Sequence, residues 1–184
     1  MRASTMLEQF AQFSSPVLNF PYIRRTRRNH GLEHATITLL TPRGYRLSGR
    51  SDDSGFVLIG EVPPELVEQA ANDALRRMKQ GEHRLAVHPN CGTNLVTTGL
   101  LVSLIGFAGL GGSSRKVSFN RLPMVMTAMM GAILYGPALG MKLQKHFTTA
   151  GDPGDLELVN VRQREVTIPF GGTMTVTRVN TRAG

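Results

Sequence analysis

Two long runs without a charged residue constrain this chain more than any other feature. Pro89 to Ser114 contains no Asp, Glu, Lys or Arg, and its centre reads LVTTGLLVSLIGFAGL. A second run, Leu122 to Met141, reads LPMVMTAMMGAILYGPALGM and is also free of charge. A helix needs about 20 mostly apolar residues to cross a hydrocarbon core about 30 Å thick. The second run meets that length, and the first meets it once its flanking glycines are counted. A chain of 184 residues leaves too little polar protein to wrap two such helices as a buried core. The expectation is therefore an integral membrane protein in which residues 92–141 form a transmembrane helical hairpin.

The remainder reads as a small α+β domain interrupted by that hairpin. NHGLEHATITLL has apolar residues at helical spacing from Asn29, a plausible N-cap, to Thr41-Pro42, where the proline stops it. Tyr45–Ser48 and Phe56–Val62 flank a Gly/Ser/Asp cluster and predict a β-hairpin. A helix from Pro64 to Gln80 starts on a proline and stops at Gly81. His83–Val87 reads as a further strand leading into the first apolar helix. After the second, GDPGD is a turn, and Leu156–Arg162, Glu165–Phe170 and Thr173–Val179 alternate as two or three C-terminal antiparallel strands. The expected order is α-β-β-α-β over 29–91, the hairpin over 92–141, and completing strands over 142–184.

Residues 1–28 read as a basic interfacial arm. Met6, Leu7, Phe10, Phe13, Val17, Leu18 and Phe20 precede Arg24, Arg25, Arg27 and Arg28, a pattern suited to anionic headgroups of a lipid bilayer. A plain solvated charge run is the close alternative. The net charge of +8 does not predict nucleic-acid binding, because the other cations are scattered and no recognition motif accompanies them. The arginine cluster and the single cysteine, Cys91, favour the cytoplasmic face of the plasma (inner) membrane for the polar parts. Arg115, Lys116 and Arg121 in the connecting loop pull against that orientation. Gly136 and Gly140 form a G-x-x-x-G pair that could pack inside the hairpin, or against a second copy or another subunit of a membrane complex.

The chemistry concentrates in His30-Gly31-Leu32-Glu33-His34. Histidines four residues apart share one face of a helix, so both imidazoles can reach one ion. Glu33, beside that face, is a candidate general base for a metal-bound water. His88 and Cys91, in the turn before the first apolar helix, are the candidate third and fourth ligands. Three imidazoles and a thiolate suit Zn2+. A site using all four is closed and structural, whereas a site that leaves Cys91 out keeps a position for water. Cys91 has a second reading as a low-pKa nucleophile at a helix start. A hydrolase at the membrane surface and a non-catalytic accessory or assembly subunit both remain open.

The order H-x-x-E-H resembles the motif of the inverzincin metallopeptidases. That resemblance implies His30 and His34 as ligands and Glu33 as base, and it would draw a third ligand from a later helix, where Glu65 and Glu68 stand. On a larger scale, NHGLEHATITLL, GRSDDSGFVLIGEVP, HRLAVHPNCGTNLVTTGLL and TTAGDPGDLEL together resemble an uncharacterised family of small bacterial two-pass membrane proteins, classed as a domain of unknown function. This second resemblance covers about Arg28 to Leu158. It implies a fold and a membrane location and no particular activity.

Overall fold

The computed structural model describes residues 6–112, 115–167 and 171–182. They form two compact units: 1–88 with 145–184, and 89–144. The first opens with short helices α1 (Met6–Phe13) and α2 (Ser15–Leu18), followed by the long α3 (Pro21–Leu40). A 3-10 turn at Thr41–Arg43 leads to the hairpin β1 (Ser48–Asp52) and β2 (Gly55–Ile59), then α4 (Pro64–Lys79) and a second 3-10 turn at His83–Ala86. The second unit holds α5 (Gly92–Leu110) and α6 (Arg115–Leu143), and a π-helical turn at Gln144–Thr148 follows. Strands β3 (Glu157–Thr167) and β4 (Thr173–Arg182) complete the first unit.

The fold is mixed α and β, with one four-stranded antiparallel sheet in the order β1-β2-β4-β3. Strand β2, which precedes the apolar helices, pairs with β4, which follows them, in the register Phe56↔Val179 and Leu58↔Thr177. One face of the sheet carries Phe56, Leu58 and Val179 into a core shared with Leu32, Ala35 and Leu40 of α3 and with Val67, Ala74 and Met78 of α4. The opposite face carries a row in register, Arg50–Val57–Arg178–Arg162.

Several local expectations are corrected. The helix expected to begin at Asn29 begins at Pro21, where proline at the first turn starts it. The boundary at residue 28 therefore falls inside α3. Asn29 is not a cap: it is fully buried, donates from Nδ2 to the Asp52 carbonyl at 2.9 Å and accepts at Oδ1 from Thr181 Oγ1 at 2.6 Å. The arginine run consequently lies on a folded helix. Arg27 donates to the carbonyls of His146 and Thr149, both at 3.2 Å, and Arg28 pairs with Asp155 at 2.6 Å. These two guanidiniums bond to distant segments of their own chain.

The strand expected at His83–Val87 is instead a 3-10 turn over His83–Ala86. The first strand is shifted to Ser48–Asp52. Of the segments expected as two strands, 156–162 and 165–170, residues 157–167 form the single strand β3, with a bulge between Leu158 and Asn160. The expected strand end at 168–170 lies outside the described residues.

The second unit is an antiparallel helix pair. Both helices are long and apolar enough to cross a membrane, by length and composition. They are apolar nearly all round: α5 exposes Leu95, Leu104 and Phe107, and α6 exposes Met124, Leu134 and Tyr135. The face bearing Gly136 and Gly140 is taken up within the pair. A Cβ at Gly136 would stand 2.9 Å from Thr98 Cβ, and one at Gly140 2.7 Å from Asn94 Cα. These glycines set the closeness of the hairpin and do not present an open docking face. Asn94 Oδ1 accepts from Gln144 Nε2 at 2.6 Å, and Asn94 also donates to the Pro89 carbonyl, which satisfies the polar end of the pair.

Candidate metal centre

Helix α3 places His30 and His34 one turn apart, and their rings meet edge to face at a centroid distance of 4.3 Å. One ring nitrogen of each lies within 4.8 Å of the other. A tetrahedral zinc ion with Zn–N bonds of about 2.0–2.1 Å would hold two such nitrogens roughly 3.4 Å apart. That spacing falls inside the 4.8 Å bound on the pair.

The tautomers follow from what the other nitrogens touch. His34 Nδ1 lies 2.8 Å from the Ala86 carbonyl oxygen, and His30 Nδ1 lies 2.9 Å from that of Thr148. A carbonyl oxygen only accepts, so each Nδ1 carries a hydrogen, and in the neutral ring Nε2 is then the atom with the lone pair. An N–H held by a backbone carbonyl is the usual way a metal-ligating imidazole is oriented. The carbonyls come from the 3-10 turn at 83–86 and from the π turn at 144–148, so two distant segments must close on α3.

Gly31 lets them close. A Cβ at this position would collide with the Ala150 carbonyl oxygen and stand 3.2 Å from Ala86 Cβ. The backbone N–H of Ala150 also bonds the Arg27 carbonyl at 2.9 Å. Gly31 and Arg27 thus belong to the site's architecture. The glycine between the two histidines was the available signal for this close approach.

His88 stands near the pair, its ring centroid 6.0 Å from that of His34. Burial, and to a lesser degree the neighbouring His34, lowers the pKa of His88 below the ordinary histidine value, which favours the neutral ring a metal needs. Cys91 belongs to the other unit, where it caps α5: its Sγ accepts from the Thr93 N–H at 3.4 Å. By covalent connection alone it follows His88 by three residues. Glu65 and Glu68 sit on the surface of α4 with Asn72 and Asp73, and among the described residues no α4 carboxylate joins the histidines.

Glu33 projects to a different side of α3, under β1. It is nearly fully buried and accepts a short hydrogen bond from Ser51 Oγ. Its carboxyl carbon would lie 2.7 Å from a Cβ at Gly49, so the strand needs a glycine there. Burial raises its pKa above the ordinary carboxylate value, and the Ser51 hydrogen bond and the charge of His30 oppose that rise. Sequence reasoning missed Ser51 and Gly49, whose small side chains alternate toward the helix in SGRSD.

Residues 25–161 match the family model described as a domain of unknown function, DUF6391. The chain belongs to this family. A DUF6391-matching chain is also similar to an uncharacterized protein of Picosynechococcus sp., at 37% identity over 139 residues. That alignment covers 67% of this chain and 65% of the relative, so the chain spans somewhat less than two thirds of the relative's length. No solved structure matches. The matched region contains both histidines, Glu33, His88, Cys91 and the two apolar helices.

Proposed function

We propose that this DUF6391 protein is a two-pass protein of the plasma (inner) membrane whose α+β unit, on the cytoplasmic side, binds zinc. His30 and His34 ligate through Nε2, His88 is the third ligand, and Cys91, three residues further along the chain, is the fourth when the site is closed. The observation that carries this reading is the matched pair of Nδ1–H···O=C bonds to Thr148 and Ala86, which leaves Nε2 as the ligand atom on two rings with centroids 4.3 Å apart. The membrane location is supported by two helices of spanning length with exposed apolar surfaces. The exposed side chains of Met6, Phe13 and Phe20 support contact of the N-terminal helices with the lipid surface, with Arg24 and Arg25 toward anionic headgroups.

Hydrolysis is the reaction such a site supplies when Cys91 leaves a position to water, and Glu33 is then the base or the partner that orients the site. The test is metal analysis of the full chain purified in neutral detergent. One zinc per chain is expected, lost in the variant His30→Ala/His34→Ala. Metal at the same low level in both proteins would overturn the reading. A Glu33→Gln variant that keeps zinc but loses a hydrolytic activity would assign Glu33 to catalysis. A Cys91→Ser variant that keeps zinc would mark the site as open.

A further inference from the structure

The 3-10 turn at 83–86 and the segment 145–151 enclose a cleft of about 490 Å³. Both segments reach the histidine pair with a carbonyl, but the cleft has its own chemistry. Its polar rim is cationic through Arg84 on one wall and Lys145 on the other, with His83 beside Arg84. Ala86, Val87 and Gly151 supply small or apolar lining. No acidic side chain lines it among the described residues. The carboxylates closest in sequence make their hydrogen bonds and ion pairs outside the cleft. Glu82 accepts from Arg77 through both oxygens, at 3.0 and 2.6 Å, Asp152 accepts from the Gly154 N–H at 2.9 Å, and Asp155 pairs with Arg28 at 2.6 Å. Glu82 also feels the charge of Arg84, so it offsets part of the rim's charge without itself lining the cleft.

The narrowness of the cleft is built in. A Cβ at Gly151 would stand 2.7 Å from His83 Cβ and 3.1 Å from its carbonyl oxygen, so the glycine lets the two walls approach. A volume of this size falls in the range of small-ligand sites and exceeds what a bare anion fills. Cationic groups converging from two walls suit an anion with several acceptor oxygens and more than one negative charge. A phosphate group meets that description better than a carboxylate does.

We infer that this cleft is a phosphate-binding site, with Arg84 and Lys145 as the groups that hold the anion and the apolar wall facing the rest of a phosphate ester. The inference goes beyond the metal reading and does not need it. Phosphate can reach the cleft free in solution or on a lipid headgroup, and the chemistry of recognition is the same for both.

The test uses the full chain in neutral detergent at low ionic strength. Inorganic phosphate is titrated in one arm. Micelles doped with phosphatidylglycerol, or with phosphatidylcholine as the zwitterionic control, are titrated in the other. Saturable binding is followed by calorimetry and by the unfolding midpoint, with sodium chloride matched for ionic strength. Arg84 and Lys145 are exposed, so the variant Arg84→Gln/Lys145→Gln is expected to fold, which its circular dichroism and unligated midpoint would verify. Its affinity is expected to fall at least tenfold. Arg162→Gln/Arg164→Gln on the sheet serves as the control for diffuse electrostatics and is expected to bind as the parent does. Binding of inorganic phosphate that is lost in the cleft variant supports the site with a soluble ligand. Binding of the phosphatidylglycerol micelles alone, lost in the same variant, supports it with a lipid ligand. Absence of saturable binding in both arms, equal binding to phosphatidylcholine, or equal weakening by the sheet control would overturn it.

Discussion

Gly31 carries a larger structural role than a glycine inside a helix usually would, because a helix interior favours alanine by about 1 kcal/mol. Here the Ala150 carbonyl and the Ala86 side chain occupy the space a Cβ would need. Gly31→Ala should therefore destabilise the protein by about 1–3 kcal/mol despite its better helix propensity, since backbone and not a flexible side chain must move. It should also weaken zinc retention, because Ala86 and the segment beside Ala150 carry the carbonyls that orient His34 and His30. Equilibrium denaturation and metal analysis of the variant check both effects, and a variant as stable and as metal-loaded as the parent would refute them. The two histidines of the candidate site were legible from sequence because a spacing of four has one meaning on a helix. The partners of Glu33 were not, since Ser51 reaches it only once β1 has packed against α3.

Among the elements, legibility followed how local the signals were. Helix α4 could be read almost to the residue from its leading proline, its apolar stripe and Gly81. The start of α3 was not read, because the polar run YIRRTRRN after Pro21 has no apolar period; Arg27 and Arg28 on that run bind segments more than a hundred residues away. His83–Val87 ends in the apolar run Leu85–Val87, which reads like a strand, yet His83–Ala86 forms a 3-10 turn that presents the Ala86 carbonyl to His34.

The sheet has its own long-range tie. Arg178 of β4 donates to both oxygens of Asp52 at the end of β1, at 2.6 and 2.8 Å. These bonds hold the Asp52 carboxyl well below its ordinary value of 3.8. A carboxylate with a depressed folded-state pKa contributes stability that is fully present above its ordinary value and is lost as pH falls through the depressed one. Stability should decline below pH 3.8 in part through this pair, and Asp52→Asn should flatten that part of the profile. Asp52 is 44% exposed, which keeps the effect at or below about 1 kcal/mol at neutral pH. Urea unfolding from pH 2 to 6 on the two proteins measures the difference.

For the whole molecule, the pairing of β2 with β4 has a topological consequence. These strands lie on either side of α5 and α6 in sequence but share one ladder, so residues before and after the apolar helices belong to one folded unit. If the two helices span a bilayer, an even number of crossings returns the chain to the side it left, and the sheet can close without being split by the membrane. An odd number would separate β2 from β4 and leave Phe56, Leu58 and Val179 without a shared core. In a Cys91→Ser background, cysteines placed at Arg50 in β1 and Arg164 in β3 should react with a membrane-impermeant maleimide from the same side of sealed vesicles. A cysteine at Lys116, near the start of α6, should react only from the other side. Serine is a good helix cap, so the background substitution preserves the start of α5. Arg50 and Arg164 sites labelled from opposite sides would contradict the single-sheet fold, and all three labelled from one side would contradict the spanning hairpin.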